Sequence, residues 1–162
     1  MTTDAVLREH LRRLLDWEDA HVGFDRAVAG IPVKLRGRKP PGLPYSPWQL
    51  VEHLRITQHD ILEFCRNPGY VELDWPRAYW PPSDAPRPGP AWVTSVRQFR
   101  QDRKALQQLA MDPAIDLTSR IPHGSGQTYL RELVLAADHA AYHIGELLVV
   151  RRLLGIWNPR AQ

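Results

Sequence analysis

Hydrophobic residues return at helical spacing in four stretches of this chain, and no stretch shows the strict alternation of a half-buried strand. The first stretch covers about residues 4–29, where Leu7, Leu11, Leu14, Leu15 and Val22 keep the period, Thr3 is placed to cap it, and Gly30 followed by Pro32 stops it. The second covers residues 47–66. Ser46-Pro47-Trp48-Gln49 supplies an N-cap serine, a proline at the first helical position and a glutamine at the third, and Asn67-Pro68-Gly69 closes the segment. Leu50, Leu54, Thr57, Ile61 and Phe64 share an arc of roughly 100°, with His53 on its edge and His59 on the far, exposed side. The third stretch, about 90–110, carries Trp92, Val96, Phe99 and Leu106 on one stripe. Arg103 falls in the middle of that stripe, where it either snorkels outward along its stem or offers its charge to a bound anion. The fourth, about 128–154, opens on Thr128 as N-cap with Glu132 near the first turn and stops at Gly155. It is apolar on nearly every side, the pattern of a buried helix.

Proline and glycine mark the connections. Residues 31–45 hold four prolines and two glycines, too many for a continuous helix. Residues 67–90 are rich in proline and aromatics, among them Trp75, Tyr79 and Trp80. A structureless connection of that length is uncommon in a compact domain and is usually functional; this one either caps the open end of a bundle or packs its aromatics over the core edge. Residues 111–127 read as irregular. Four helices and three connections predict a single all-α domain over residues 1–162, a four-helix bundle.

Composition narrows the function classes. A chain of 162 residues that is 43% hydrophobic and 24% charged is an ordinary globular domain with a sizeable core. The net charge of +3 comes with no basic cluster of the kind that grips nucleic acid; Arg36, Arg38 and Lys39 crowd into a proline-rich turn that reads as solvated. The single Cys65 rules out an internal disulfide and any cysteine-rich zinc site, and with Arg66 as its only basic neighbour it has little claim to be a nucleophile. The chain opens without a signal-peptide pattern, and no stretch is read as long enough to span a membrane, so a cytoplasmic protein without a membrane partner is expected.

The candidate chemistry sits in the fourth helix. His139 and His143 are four residues apart, hence on one face and about one turn apart, where two imidazoles can share a metal ion. Glu132 and Glu146 fall on the same stripe, and buried polar groups need partners. In a bundle, metal sites are built from inward side chains of facing helices, so His53 on the second helix is the candidate third ligand. Three neutral imidazoles leave coordination positions open for water or substrate and suit zinc or nickel. The thermolysin-type motif is excluded, because Ala140 follows His139 where that motif has glutamate. Glu146, about one turn beyond His143, is the candidate general base; the other role open to it is to accept a hydrogen bond from an imidazole N–H. Glu18 and His21 lie near the core-facing stripe of the first helix and either reach the site or bond locally. Glu52 and Asp138 adjoin ligand candidates but point about 100° away. Gly124-Ser125-Gly126 before a helix start is either an anion cradle or a plain loop.

Ser46-Pro47-Trp48-Gln49-Leu50-Val51-Glu52-His53-Leu54 and His139-Ala140-Ala141-Tyr142-His143-Ile144-Gly145-Glu146 together give the chain a resemblance to the DinB-like family of metal-dependent enzymes, over almost its whole length. The resemblance implies an up-down-down-up bundle, a homodimer, and a divalent metal held by three histidines that match His53, His139 and His143. Where family members often carry glutamine after His-x-Gly, this chain has Glu146. Related members include thiol-dependent S-transferases and maleylpyruvate isomerase, which use mycothiol or bacillithiol. An enzyme of this kind would let water or a low-molecular-weight thiol become the nucleophile at the open metal position, acting on a small-molecule substrate. A non-catalytic metal- or ligand-binding or stress-response protein is the second reading, and a metal-free polar core the third.

Overall fold

Capping chemistry sets most of the helix boundaries in the computed structural model, which describes residues 2–158. The helices are α1 (Thr3–Leu14), α2 (Phe24–Val28), α3 (Pro47–Arg66), α4 (Ala91–Met111) and α5 (Tyr129–Leu153), with single 3-10 turns at Val33–Leu35 and Arg77–Tyr79. No strand occurs among the described residues beyond one isolated bridge between Arg120 and Thr128. The Ser46 hydroxyl accepts from the Gln49 amide while the Gln49 side chain accepts from the Ser46 amide, so α3 starts on the capping box written in its sequence. The Thr128 hydroxyl accepts from the Arg131 amide at the head of α5, and Gly155, at φ +69°, follows its last turn. At the N-terminus the cap is Thr2, whose hydroxyl accepts from the Ala5 amide, one residue earlier than Thr3.

The first periodic stretch is two helices rather than one. α1 closes at Leu15, residues 16–23 are irregular, and Gly23 opens α2. The periodicity of Leu11, Leu15 and Val22 survives the break, but two charges decide the backbone path. Arg103 is only 9% exposed, and its two terminal nitrogens bond the carboxylates of Asp16 and Asp25, which flank the irregular segment. A buried guanidinium without partners is costly, so this side chain neither snorkels nor remains free for an anion. A Cβ on Gly23 would fall 2.2 Å from Glu18 Oε1, so a larger residue there would displace the exposed Glu18 side chain.

α3 packs along both α4 and α5, α1 along α4, and α2 against α5. Gln58 donates to the Phe99 carbonyl at 2.7 Å and His59 meets Asp102 at 3.1 Å, so α3 and α4 run in the same direction. Arg8 reaches the Ala110 carbonyl and Gln107 the Arg12 carbonyl, so α1 opposes α4. His53 meets His143 and Thr57 meets His139, so α3 opposes α5.

The core has two apolar halves. One gathers Phe24, Trp48, Leu50, Leu54, Phe99 and Leu147; the other Leu11, Leu62, Leu106, Ile121 and Leu133. Buried polar residues stand among them, including His53, Thr57 and Gln58 of α3, Asp102 and Arg103 of α4, and His143 of α5. α5 has 25 residues and a window of mean hydropathy 1.4, so by length and composition it does pass the test for a membrane span, contrary to the sequence expectation. In the fold it packs along α3 and touches α1 and α2, and it buries Glu132, His143 and Arg151 among its apolar residues. Two cations of the basic turn have partners, Arg36 over Trp92 at 4.6 Å and Lys39 against Asp84 at 2.7 Å, while Arg38 is exposed as expected.

Candidate metal centre

His53, His139 and His143 converge where α3 faces α5. Nε2 of His53 lies 3.1 Å from Nε2 of His139 and 3.1 Å from Nε2 of His143. His53 and His143 are buried and His139 half-buried. The 3.6-residue repeat of α5 stacks its two rings on one face, and the opposed course of α3 brings His53 against both.

The partners of the other ring nitrogens fix the protons. Nδ1–H of His53 donates to the Tyr79 carbonyl at 2.7 Å, and Nδ1–H of His143 to the Glu146 carboxylate at 2.7 Å. Nδ1 of His139 lies 3.3 Å from Thr57 Oγ1, and that hydroxyl already donates to the His53 carbonyl at 2.8 Å. Thr57 therefore accepts, and the proton of His139 also sits on Nδ1. A carbonyl and a carboxylate have no proton to give, so all three rings turn bare Nε2 lone pairs toward one point. His53 and His139 do not take up a second proton there near neutrality. Burial, together with the charge of the neighbouring imidazole His143, pushes His53 down to about 4; burial, then His143 and His53, pushes His139 down to about 3.

Such a constellation fits a divalent cation. Two nitrogens 3.1 Å apart, each about 2.0–2.1 Å from one ion, subtend roughly 95–100° at it, the relation of neighbouring ligands with further positions open. The surrounding groups add rigidity. The Trp80 indole stacks on the His53 ring at 3.8 Å with 4° between planes, and Tyr45 stacks on the same indole at 4.1 Å. The long connection thus serves the site directly, through the Tyr79 carbonyl and the Trp80 ring. Tyr79 and Tyr70 both donate to the Asp60 carboxylate at 2.9 Å, which ties the connection to α3.

Glu146 touches the outer nitrogen of His143, and beside it opens an apolar recess of about 260 Å³ lined by Leu43, Tyr45, Leu50 and Val150. Several other candidates lie elsewhere. Glu132 is buried two turns away and pairs with Arg131. Glu52 pairs with Arg55, and Asp138 is exposed on another face of α5. His21 is exposed, with Nδ1 against the carbonyl of Val22, and Glu18 packs by Gly23, so neither reaches the histidines. His59 is half-buried against Asp102 rather than fully exposed. Gly124-Ser125-Gly126 forms a plain turn, with the Ser125 amide donating to the Gln127 side chain. The Cys65 thiol is buried and pushed up to about 12 by that burial and by the charge of Glu132, so it is no nucleophile.

Sequence reasoning passed over Thr57, the Tyr79 carbonyl and Trp80. Thr57 had a signal: it stands four residues after His53, a lone hydroxyl in an otherwise apolar arc. A backbone carbonyl and a stacking ring from a distant loop had none.

An all-α bundle with three histidines able to hold a metal ion is the class defined here. A family model described as the DinB superfamily matches residues 16–147, a span that includes all three histidines, and the chain belongs to that superfamily. Neither the curated proteins nor the solved structures contain a match to it.

Proposed function

We propose that this protein is a metal-dependent enzyme of the cytoplasm, with zinc or nickel held by Nε2 of His53, His139 and His143, acting on a small molecule by thiol transfer or hydrolysis. The observation that carries the reading is the set of three bare Nε2 lone pairs brought together by fixed Nδ1 protons. Three lone pairs at this separation repel one another, and a cation relieves the repulsion. A bound divalent ion supplies Lewis acidity, lowering the pKa of water toward neutrality or deprotonating a thiol outright. The chain's own groups position the ligands. Tyr79, Thr57 and Glu146 hold the three rings in one tautomer and orientation, and Glu146 raises the basicity of His143. The bond to Nδ1 makes Glu146 a positioning residue first; its carboxylate also borders the apolar recess, from which it can take a proton from a bound substrate.

A homodimer is part of the proposal. Tyr142, Val149 and Leu153 stay 65%, 42% and 59% exposed along one side of α5, apolar surface that a second copy would cover. The first test is metal content of protein purified without a histidine tag, beside His53→Ala and His143→Ala. About one equivalent of zinc or nickel, lost in both folded variants, supports the centre; no metal after reconstitution sinks it. Metal-dependent loss of thiol in the presence of an electrophile then supports S-transfer, and thiol-independent turnover supports hydrolysis. Light scattering at the mass of one chain overturns the dimer.

A further inference from the structure

The seam between α3 and α5 continues past the histidines. On α5, His143, Glu146 and Val150 follow at intervals of three and four residues, so their side chains stand in line along the helix. On α3, Leu50 precedes His53 by three residues. The two helices run opposed. A step toward the C-terminus of α5 therefore meets a step toward the N-terminus of α3, which sets Leu50 beside Glu146 and Val150. Leu50, Glu146 and Val150 line an apolar recess of about 260 Å³ together with Leu43 and Tyr45. The recess thus lies about one helical turn, roughly 5 Å, along the seam from His53 and His143.

Two of the lining residues also serve the candidate metal centre. The Glu146 carboxylate accepts from Nδ1–H of His143 at 2.7 Å, and the Tyr45 ring stacks on Trp80, which stacks on His53. The lining is chemically one-sided. Glu146 is its only charged side chain, and no basic residue lines it. A carboxylate or phosphate brought there would meet a negative charge with no cation to balance it. An apolar cavity of about 150 Å³ holds a benzene ring, so this one has room for a ring and a short chain.

We propose that this recess is the specificity pocket of the metal centre and takes an uncharged apolar group, a phenyl ring or a branched alkyl chain of similar size, of a substrate whose reacting end lies at the three histidines. Leu43, half-buried on the connection before α3, is the specificity-determining residue, because Leu50 and Val150 are buried in the helix packing that holds the fold. The pocket presupposes the metal site proposed above and adds the class of molecule that site receives.

Three thiols serve as probes on the full-length protein loaded with cobalt(II), whose near-ultraviolet absorption reports a bound thiolate: 2-phenylethanethiol, ethanethiol and 3-mercaptopropionate. The phenyl compound should bind at least about tenfold more tightly than ethanethiol, the low end for burying one ring, and 3-mercaptopropionate no more tightly than ethanethiol. Ratios taken within one variant cancel any change in the metal itself. Leu43→Trp, which fills the recess, should bring the phenyl-to-ethyl ratio to within about twofold of unity, and Leu43→Ala, which strips the wall without crowding, should lower it about threefold. Where the tryptophan variant holds no cobalt, the alanine ratio decides. No thiolate band with any of the three probes refutes the metal site itself. Bands with a phenyl-to-ethyl ratio near unity in the parent, a ratio untouched by substitution of Leu43, or 3-mercaptopropionate binding as tightly as the phenyl compound overturns the pocket.

Discussion

Replacing Thr57 by valine removes one oxygen and nothing else of size, and it isolates how the histidine centre is held. The Thr57 hydroxyl donates to the His53 carbonyl at 2.8 Å and accepts from Nδ1 of His139 at 3.3 Å. That carbonyl belongs to a helix and keeps its main-chain bond, so the first loss is small. The second leaves a buried Nδ1–H without an acceptor and no longer holds the proton on Nδ1. His139 can then move the proton to Nε2, which removes one of the three lone pairs. Loss of such a supporting partner costs about 10–100-fold in metal affinity, equivalent to about 1.4–2.8 kcal/mol. Competition against a chromophoric chelator measures it, with circular dichroism melts to confirm the fold. Thr57→Ser, which keeps the oxygen, should restore most of the affinity. A folded Thr57→Val that binds metal within twofold of the parent refutes the tautomer argument, as does a serine variant no better than valine.

Glu146→Gln keeps an acceptor for His143 but removes the charge, so metal affinity should fall by about tenfold, the low end of the effect of outer partners; an unchanged affinity with abolished turnover would instead mark Glu146 as a proton carrier. The metal-free protein should lose stability in acid. The unfolded chain takes up its histidine protons near pH 6.5, while folded His53 and His139 resist to about 4 and about 3. Their contribution is therefore complete above about pH 6.5 and is lost as the pH falls through that window, because the unfolded state binds more protons. Urea midpoints that stay level from about pH 7 to about pH 4.5 contradict the burial of the two rings. Arg103→Ala should cost about 3 kcal/mol, the low end for breaking a buried pair, since Asp16 and Asp25 are 38% and 40% exposed and can be hydrated in its absence. Against desolvation, Arg103 and Arg100 hold the Asp25 carboxyl below its usual range, so the same variant should raise its pKa in a carboxylate titration.

The sequence by itself determined whatever depends on neighbours along the chain. The Ser46 capping box, the Thr128 cap and the glycine stop at Gly155 act within one turn of helix, so α3 and α5 were legible nearly to the residue. The i, i+4 spacing of His139 and His143 is equally local, and with His53 on the edge of an apolar arc it was enough to name the three candidates now found at 3.1 Å contacts. What the sequence could not carry are interactions whose partners lie far apart in it. The break between α1 and α2 is invisible to periodicity because it is set by Arg103, more than 75 residues downstream of both aspartates. Tertiary packing also decided which nitrogen of each histidine holds the proton, through a carbonyl in a distant loop, a hydroxyl on a facing helix and a carboxylate one turn away. Local order follows from backbone hydrogen bonding and capping, which the chain spells out in sequence. A site depends on side chains meeting across elements, and the folded core alone makes those meetings.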